Sequence, residues 1–241
     1  MLECVCMRKK IIKFLCRLFI PNQNVRNRVY FSLYYWDYAR KCIKFVKSQG
    51  DFHNIKKIVG HGVRNLVVIA DNKCVFKFPR RDNGYEKSIR EKRITDVFRS
   101  ISPIPIPDME ILDMDGVAVR KYPFISGINL ECFDPKKIPQ DIESKIAKQL
   151  ANFLYVVSQS DPKELRDLKP NPKEKTGILH GWCQNDVKYN FIMDPETFDI
   201  ISVIDWEEAG FNNFAYLFTY EKDYRSIMTS VLCEYLKLCE K

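Results

Sequence analysis

The sequence predicts an α+β fold of two lobes. A small antiparallel sheet with one helix occupies residues 52–124, and a mostly helical lobe occupies 125–241. A basic amphipathic helical extension over 1–51 precedes both. Three observations carry this reading. Between residues 55 and 123, short apolar strands alternate with turn signals such as Asp71-Asn72. From Ile142 to Val157, apolar residues recur at helical spacing. The positive charge is confined to the front: residues 1–50 hold eleven Lys/Arg against two acids, so they carry the whole excess of a +8 chain.

Composition sets the bounds. A chain of 241 residues can build one domain or a two-lobed one with a real core. At 46% hydrophobic and 29% charged it is globular rather than disordered. Beyond residue 50, 28 basic and 29 acidic residues balance, which argues against a uniformly basic nucleic-acid binder. The nine scattered cysteines and the lack of a signal peptide predict reduced thiols and a cytoplasmic location. Cys4 and Cys6 form a C-x-C, with no second pair at zinc spacing.

The stretch "RKKIIKFLCRLFIPN" places Lys10, Lys13 and Arg17 on one helix face and Ile11, Leu15 and Leu18 on another. Its apolar run is far short of the roughly 20 residues a membrane span needs. The charges inside it also spoil a signal peptide. Pro21 and Asn22 end it, and a second helical stretch follows over about 28–48, with Gly50 as its cap. Two readings stand. The pair rests on an anionic membrane surface, peripheral on its inner face, or it packs on the main domain with its lysines in solvent. The phrase "KKIIKFLCRLFIPNQNVRNRV" also resembles, over a short stretch of low complexity, the opening of some bacterial surface-polysaccharide proteins.

From Asn54, "IKKIVGHGVRNLVVIADNKCVFKFPR" reads as strand, Gly-containing loop, strand, turn and strand. Gly60 and Gly62 would let backbone N–H groups approach an anion, although the loop lacks the Walker A pattern. Lys77 sits mid-strand between Phe76 and Phe78, either an edge gatekeeper or a buried charge with a purpose. A helix over about 84–100 offers Glu86 and Glu91 as partners for it. "SPIPIPD" forces an extended crossing, and a second hairpin turns at Asp113–Gly116. Asp134-Pro135 can open a helix that runs to about Ser158. The proline-broken stretch after it is a loop or short helix.

"CQNDVKYNFIMDPETFDIISVIDWEEAG" then sets Asp186 and Asn190 at one end of an apolar hairpin and Asp205 at its return. Two carboxylates and an amide carbonyl are hard oxygen donors that suit Mg²⁺. A carboxylate off the metal could orient a hydroxyl nucleophile.

Gly loop, strand lysine, helix glutamate, D-x-K-x-N loop and strand-ending aspartate follow one another in the order of a kinase-like fold. The chain resembles the aminoglycoside phosphotransferase and choline kinase superfamily over roughly 55–236, and "SVIDWEEAG" is similar to its metal-binding segment. The resemblance implies a protein-kinase-like fold and transfer of a phosphate from ATP or GTP to a hydroxyl. It implies Asp186 as the catalytic-loop acid and Lys188 as a contact of the transferring phosphate. Asn190 and Asp205 would hold Mg²⁺. Lys77, steadied by Glu91, would bind the α/β-phosphates, with Gly60 and Gly62 covering them. Lys121, Tyr122 and Pro123 would form the hinge beside adenine.

The departures are specific. Asp186 to Asn190 is one residue short of the family spacing, and Gln184 stands where a histidine is common. His180-Gly181 could also be aligned with the family's H-G-D, which would put Trp182 at the acid; the "QND" register avoids this. A catalytically inactive pseudokinase serving as a membrane-surface binding protein is the competing class. Only 36 residues follow Asp205, which leaves no room for a protein kinase's activation segment and helical lobe. This favours a small-molecule or glycan hydroxyl as the expected acceptor over a protein. Trp206, Glu207, Glu208, Phe211 and Tyr216 could cage a cation such as choline or an aminoglycoside. Asn212 and Asn213 would serve a sugar. The basic front end favours a lipid-linked saccharide, as in lipopolysaccharide biosynthesis.

Overall fold

Strand β2 (Asn65–Ala70) buries Leu66, Val68 and Ala70 and leaves the alternate residues half-exposed, the period of two that a one-sided sheet demands. In the computed structural model, residues 11–12, 14–23, 25–26, 29, 36–58, 64–80, 83–133, 137–169, 177–219 and 225–240 are described. The chain divides into two units, Met1–Tyr85 with Ile111–Phe124, and Glu86–Glu110 with Ile125–Lys241.

In the first unit β2 pairs antiparallel with β1 (Ile55–Ile58) and β3 (Cys74–Pro79). Asp71 and Asn72 both take φ of 52°, as a type I′ hairpin turn requires, and these two residue types tolerate it. The Asp71 carboxylate accepts the N–H groups of His53 and Asn54, fixing the chain's entry into β1. Strands β4 (Glu110–Met114) and β5 (Val117–Pro123) complete a five-stranded sheet in the order β1-β2-β3-β5-β4. Helix α1 (Trp36–Ser48) lays Ala39, Cys42 and Val46 on this sheet, and the Tyr38 hydroxyl donates to the Pro79 carbonyl at 2.5 Å. The Gly60–Gly62 loop lies outside the described residues.

Helix α2 (Gly84–Phe98) belongs from Glu86 onward to the second unit, not to the sheet lobe in which the pattern predicts it. Its buried Ile94 and Phe98 join the second unit's core, together with Ile104 and Ile106 of the extended crossing. Helix α3 (Gln140–Gln159) starts after Pro139; Asp134-Pro135, read from the sequence as its opening, lies outside the described residues. Helix α5 (Arg225–Cys239) packs on α3, and Ser158 meets the Tyr235 hydroxyl at 3.0 Å. Five short strands add to the helices. Strand β6 (Ile128–Asn129), β8 (Phe191–Met193) and β9 (Ile200–Val203) make one sheet, and β7 (His180–Cys183) pairs with β10 (Gly210–Asn213). Every cysteine among the described residues is free.

Candidate active site

The β8–β9 hairpin brings the amide and the second aspartate together. Phe191 pairs with Val203, and one step further the Ile204 N–H donates to the Asn190 carbonyl at 2.9 Å. Asn190 and Asp205 therefore lie beside each other at the open end. The far end is closed by Asp194, whose Oδ1 accepts the N–H groups of Glu196 and Thr197 at 2.9 and 2.8 Å. Asn190 ends the single helical turn α4 (Val187–Asn190), which starts immediately after Asp186.

Gln184 joins the two aspartate segments. Its fully buried side chain donates from Nε2 to the carbonyls of Ile204 (3.2 Å) and Asp205 (2.7 Å). Its Oε1 accepts the Asp186 N–H at 2.8 Å. One amide thus holds both aspartates by their backbones. Asp205 has φ of 56° and Asn185 has φ of 74°. Such conformations cost about 1–3 kcal/mol each and persist where the surroundings over-determine them. The Gln184 bonds and the Trp206 ring, stacked on Phe98 at 5.4 Å, supply that support around Asp205.

One face of α2 clasps the same segment. Lys87, Arg90 and Glu91, three and four apart, share that face. Arg90 donates to the carbonyls of Glu207 (3.2 Å) and Ala209 (2.6 Å). Glu91 Oε1 accepts the Trp206 N–H at 2.9 Å, and Lys87 lies 3.7 Å from Glu207 and 3.4 Å from Glu208. Glu91, Asp205 and Glu207 consequently offer carboxylate oxygens within 4.8 Å of one another. An all-oxygen, partly buried donor set of this kind fits Mg²⁺. Sequence reasoning offers Glu207 only to a cation cage, although its place two residues after Asp205 in "DWEE" is a signal for the carboxylate cluster. Gln184 precedes Asp186 by two, but only folding reveals what its amide bridges.

Trp182 and His180 lie on β7. Trp182 is buried against Phe98 and Phe211, and a Cβ at Gly181 would come within 2.3 Å of the Ser158 carbonyl oxygen. "HGW" is thus committed to strand pairing and core packing. Trp206 is likewise buried in the core, and the Lys169 ammonium already sits 4.5 Å over the Phe211 ring. These two aromatics are therefore not an open cage for a cationic acceptor. Tyr216, whose hydroxyl lies 3.4 Å from the Asn185 carbonyl, has its acidity suppressed by burial, then by Cys183 and Asp186. Burial also pushes the Cys183 thiol up to about 12, so it is an inert packing residue.

In the first unit, Lys77 is buried on β3, opposite Val67 on β2 and Arg120 on β5. The buried Arg120 guanidinium donates to Asn65 Oδ1 at 2.5 Å. Lys121 and Tyr122 pair with Phe76 and Val75 on the last strand before the chain enters the second unit. The Lys188 side chain lies outside the described residues.

No family model matches the chain, and no curated protein matches it. Solved structures do. The GDP and kanamycin complex of APH(2″)-IIIa is 15% identical, with 82% of each chain covered and a TM-score of 0.69. The ADP-bound aminoglycoside phosphotransferase APH(2″)-Ib is 15% identical, covering 80% of this chain and 81% of that one, with a TM-score of 0.65. A macrolide 2′-phosphotransferase from Brachybacterium faecium is 14% identical, covering 81% and 82%, with a TM-score of 0.60. At this identity the likeness establishes the fold. The chain has the kinase-like fold of the aminoglycoside and macrolide phosphotransferases.

Proposed function

We propose that this chain is a nucleotide-dependent phosphotransferase acting on a hydroxyl group of a small molecule or glycan. The observation that carries the reading is the Gln184 joint, which fixes Asp186 and Asp205 at one hairpin end beside the carboxylates of Glu91 and Glu207. In the second unit, Asp186 would accept the acceptor's hydroxyl proton, and Lys188 would contact the transferring phosphate. Asp205 and Asn190 would hold Mg²⁺, with Glu207 and Glu91 at hand. When bound, Mg²⁺ supplies neutralising charge for the nucleotide phosphates. In the first unit, Lys77 would bind the α/β-phosphates, the Gly60–Gly62 loop would cover them, and Lys121 and Tyr122 would meet the base. Little covalent work falls to the protein, so positioning and charge do most of it.

The finer reading is a sugar or lipid-linked saccharide of a cell-surface polysaccharide as acceptor. The basic front end supports it, as does the burial of Trp206 away from any cation cage. The test is a thermal-shift titration with ATP and with GTP, with and without Mg²⁺, followed by phosphate-transfer assays on saccharide and aminoglycoside acceptors. Binding to the folded state raises the melting temperature by mass action. A Mg²⁺-dependent rise and transfer to a saccharide hydroxyl are expected. No shift with either nucleotide would favour the pseudokinase.

A further inference from the structure

Residues 11–12 and 14–19 are helical, and this helix exposes its apolar side to solvent as well as Arg17. Ile11, Phe14, Leu15, Leu18 and Phe19 fall at i, i+3, i+4, i+7 and i+8, the stripe that a helix on a protein surface normally buries. Here Phe14, Leu18 and Phe19 are 64%, 63% and 73% exposed, and only Cys16 is buried. The helical stretch has a fixed end: the Arg26 guanidinium donates to the carbonyls of Ile20 (2.9 Å) and Pro21 (2.7 Å), and Asn22 Oδ1 accepts the Val25 N–H. Further along, α1 buries Ala39, Cys42 and Val46 and leaves Arg40, Lys41, Lys44 and Lys47 exposed.

We propose that this N-terminal region docks the protein on an anionic lipid surface, with the Ile11–Phe19 stripe entering the headgroup boundary and the exposed Arg17, Arg40, Lys41, Lys44 and Lys47 meeting lipid phosphates. Charge complementarity selects the occupant. These fifty residues carry eleven Lys/Arg and two acids, whereas the rest of the chain is nearly neutral. A protein partner would need a large acidic apolar patch, whereas an anionic bilayer offers negative charge above an apolar interior. The helix would lie in the interface, because no helix among the described residues is long and apolar enough to cross a membrane. The inference stands independently of the phosphotransferase reading, since none of these residues belongs to the candidate site.

The test is sedimentation of the full chain with vesicles of phosphatidylcholine alone and with phosphatidylglycerol added, at low and high salt. The variants are Phe14→Glu/Leu18→Glu/Phe19→Glu and Arg40→Gln/Lys41→Gln/Lys44→Gln/Lys47→Gln. All seven positions are exposed, and an unchanged melting temperature confirms folding. Wild type should bind the anionic vesicles at least tenfold more tightly than the neutral ones, with loss at high salt. The apolar variant should lose roughly a hundredfold or more, and the basic variant should lose only the anionic preference. Equal binding to both vesicles, no binding, or an unaffected apolar variant would overturn the proposal. So would a stripe that proves to hold two copies of the chain together, seen as a wild-type dimer that the apolar variant converts to monomer without any vesicle.

Discussion

The two units bury charge of opposite sign. Among the described residues of the first, the buried charged side chains are cations, Lys77 and Arg120, directly opposite each other on β3 and β5. In the second, they are carboxylates, Glu91 and Glu207, with half-buried Asp205 between them in sequence and all three within a few ångströms. Burying a charge is costly unless it is paired or hydrogen-bonded. Each unit answers with local donors or acceptors: the Asn65 amide oxygen for Arg120, the Trp206 N–H for Glu91 and Lys87 for Glu207. Under the proposed function, a nucleotide's phosphates would meet Lys77 in the first unit and Mg²⁺ would meet the carboxylates of the second.

Three changes break the comparison on one side at a time. Asp186→Asn keeps the shape and the Gln184 bond to its N–H but removes the proton acceptor. Turnover should fall about 10²–10⁴-fold, while nucleotide affinity measured by thermal shift is spared. Full turnover in this variant, with loss in a His180 or Trp182 variant, would move the catalytic loop to "HGW". On the cation side, Lys77→Met should weaken ATP or GTP binding by about 10–100-fold, the worth of a charge-assisted hydrogen bond. Unchanged binding would take Lys77 out of the site.

Gln184→Leu keeps the volume but strips the joint of its three hydrogen bonds. It should cost about 1–3 kcal/mol for each buried backbone group left unpaired, seen in urea melts, with a further loss in turnover beyond that of an equally destabilised core variant. Restoring donors with Gln184→His should recover part of both. A Leu variant as stable and active as wild type would show that the hairpin holds its acids unaided.

Much of this was legible in the sequence because local chemistry decides it. Asp71-Asn72 predicts the hairpin turn, alternation predicts β2, and the apolar run on either side of Asp194–Asp199 predicts the hairpin that sets Asn190 beside Asp205. What stayed hidden depends on distant contacts. The allegiance of α2 is decided by Phe98 meeting Trp182 and Trp206, far along the chain, with Ile94 in the same core. Strands β7 and β10 are four residues each, too short for periodicity to register, and their pairing spans α4 and the whole β8–β9 hairpin. Spacing offers Glu91 as a partner for Lys77, but that its Oε1 accepts the Trp206 N–H beside Asp205 depends on a contact made far along the chain.

The smallest effect expected is on pH dependence. Asp194, held by the Thr197 and Glu196 N–H groups, and Asp167, held by the Arg93 guanidinium, both have carboxyls lowered below the ordinary range. A lowered folded value means the stabilisation is complete above the unfolded value, near pH 4, and is lost as pH falls through the folded one. Melting temperatures should be flat from pH 7 to about 5 and drop below about 4. In Asp194→Ala/Asp167→Ala the acid-side drop should be shallower. An unaltered profile would assign the acid sensitivity to other groups.

The division of labour between the two aspartates is most directly tested by Mg²⁺-dependent thermal shift on Asp205→Asn, with ATP and GTP, beside wild type and Asp186→Asn. The account predicts that the Mg²⁺-dependent rise in melting temperature survives in Asp186→Asn and disappears in Asp205→Asn. A rise retained in Asp205→Asn at wild-type size would contradict it.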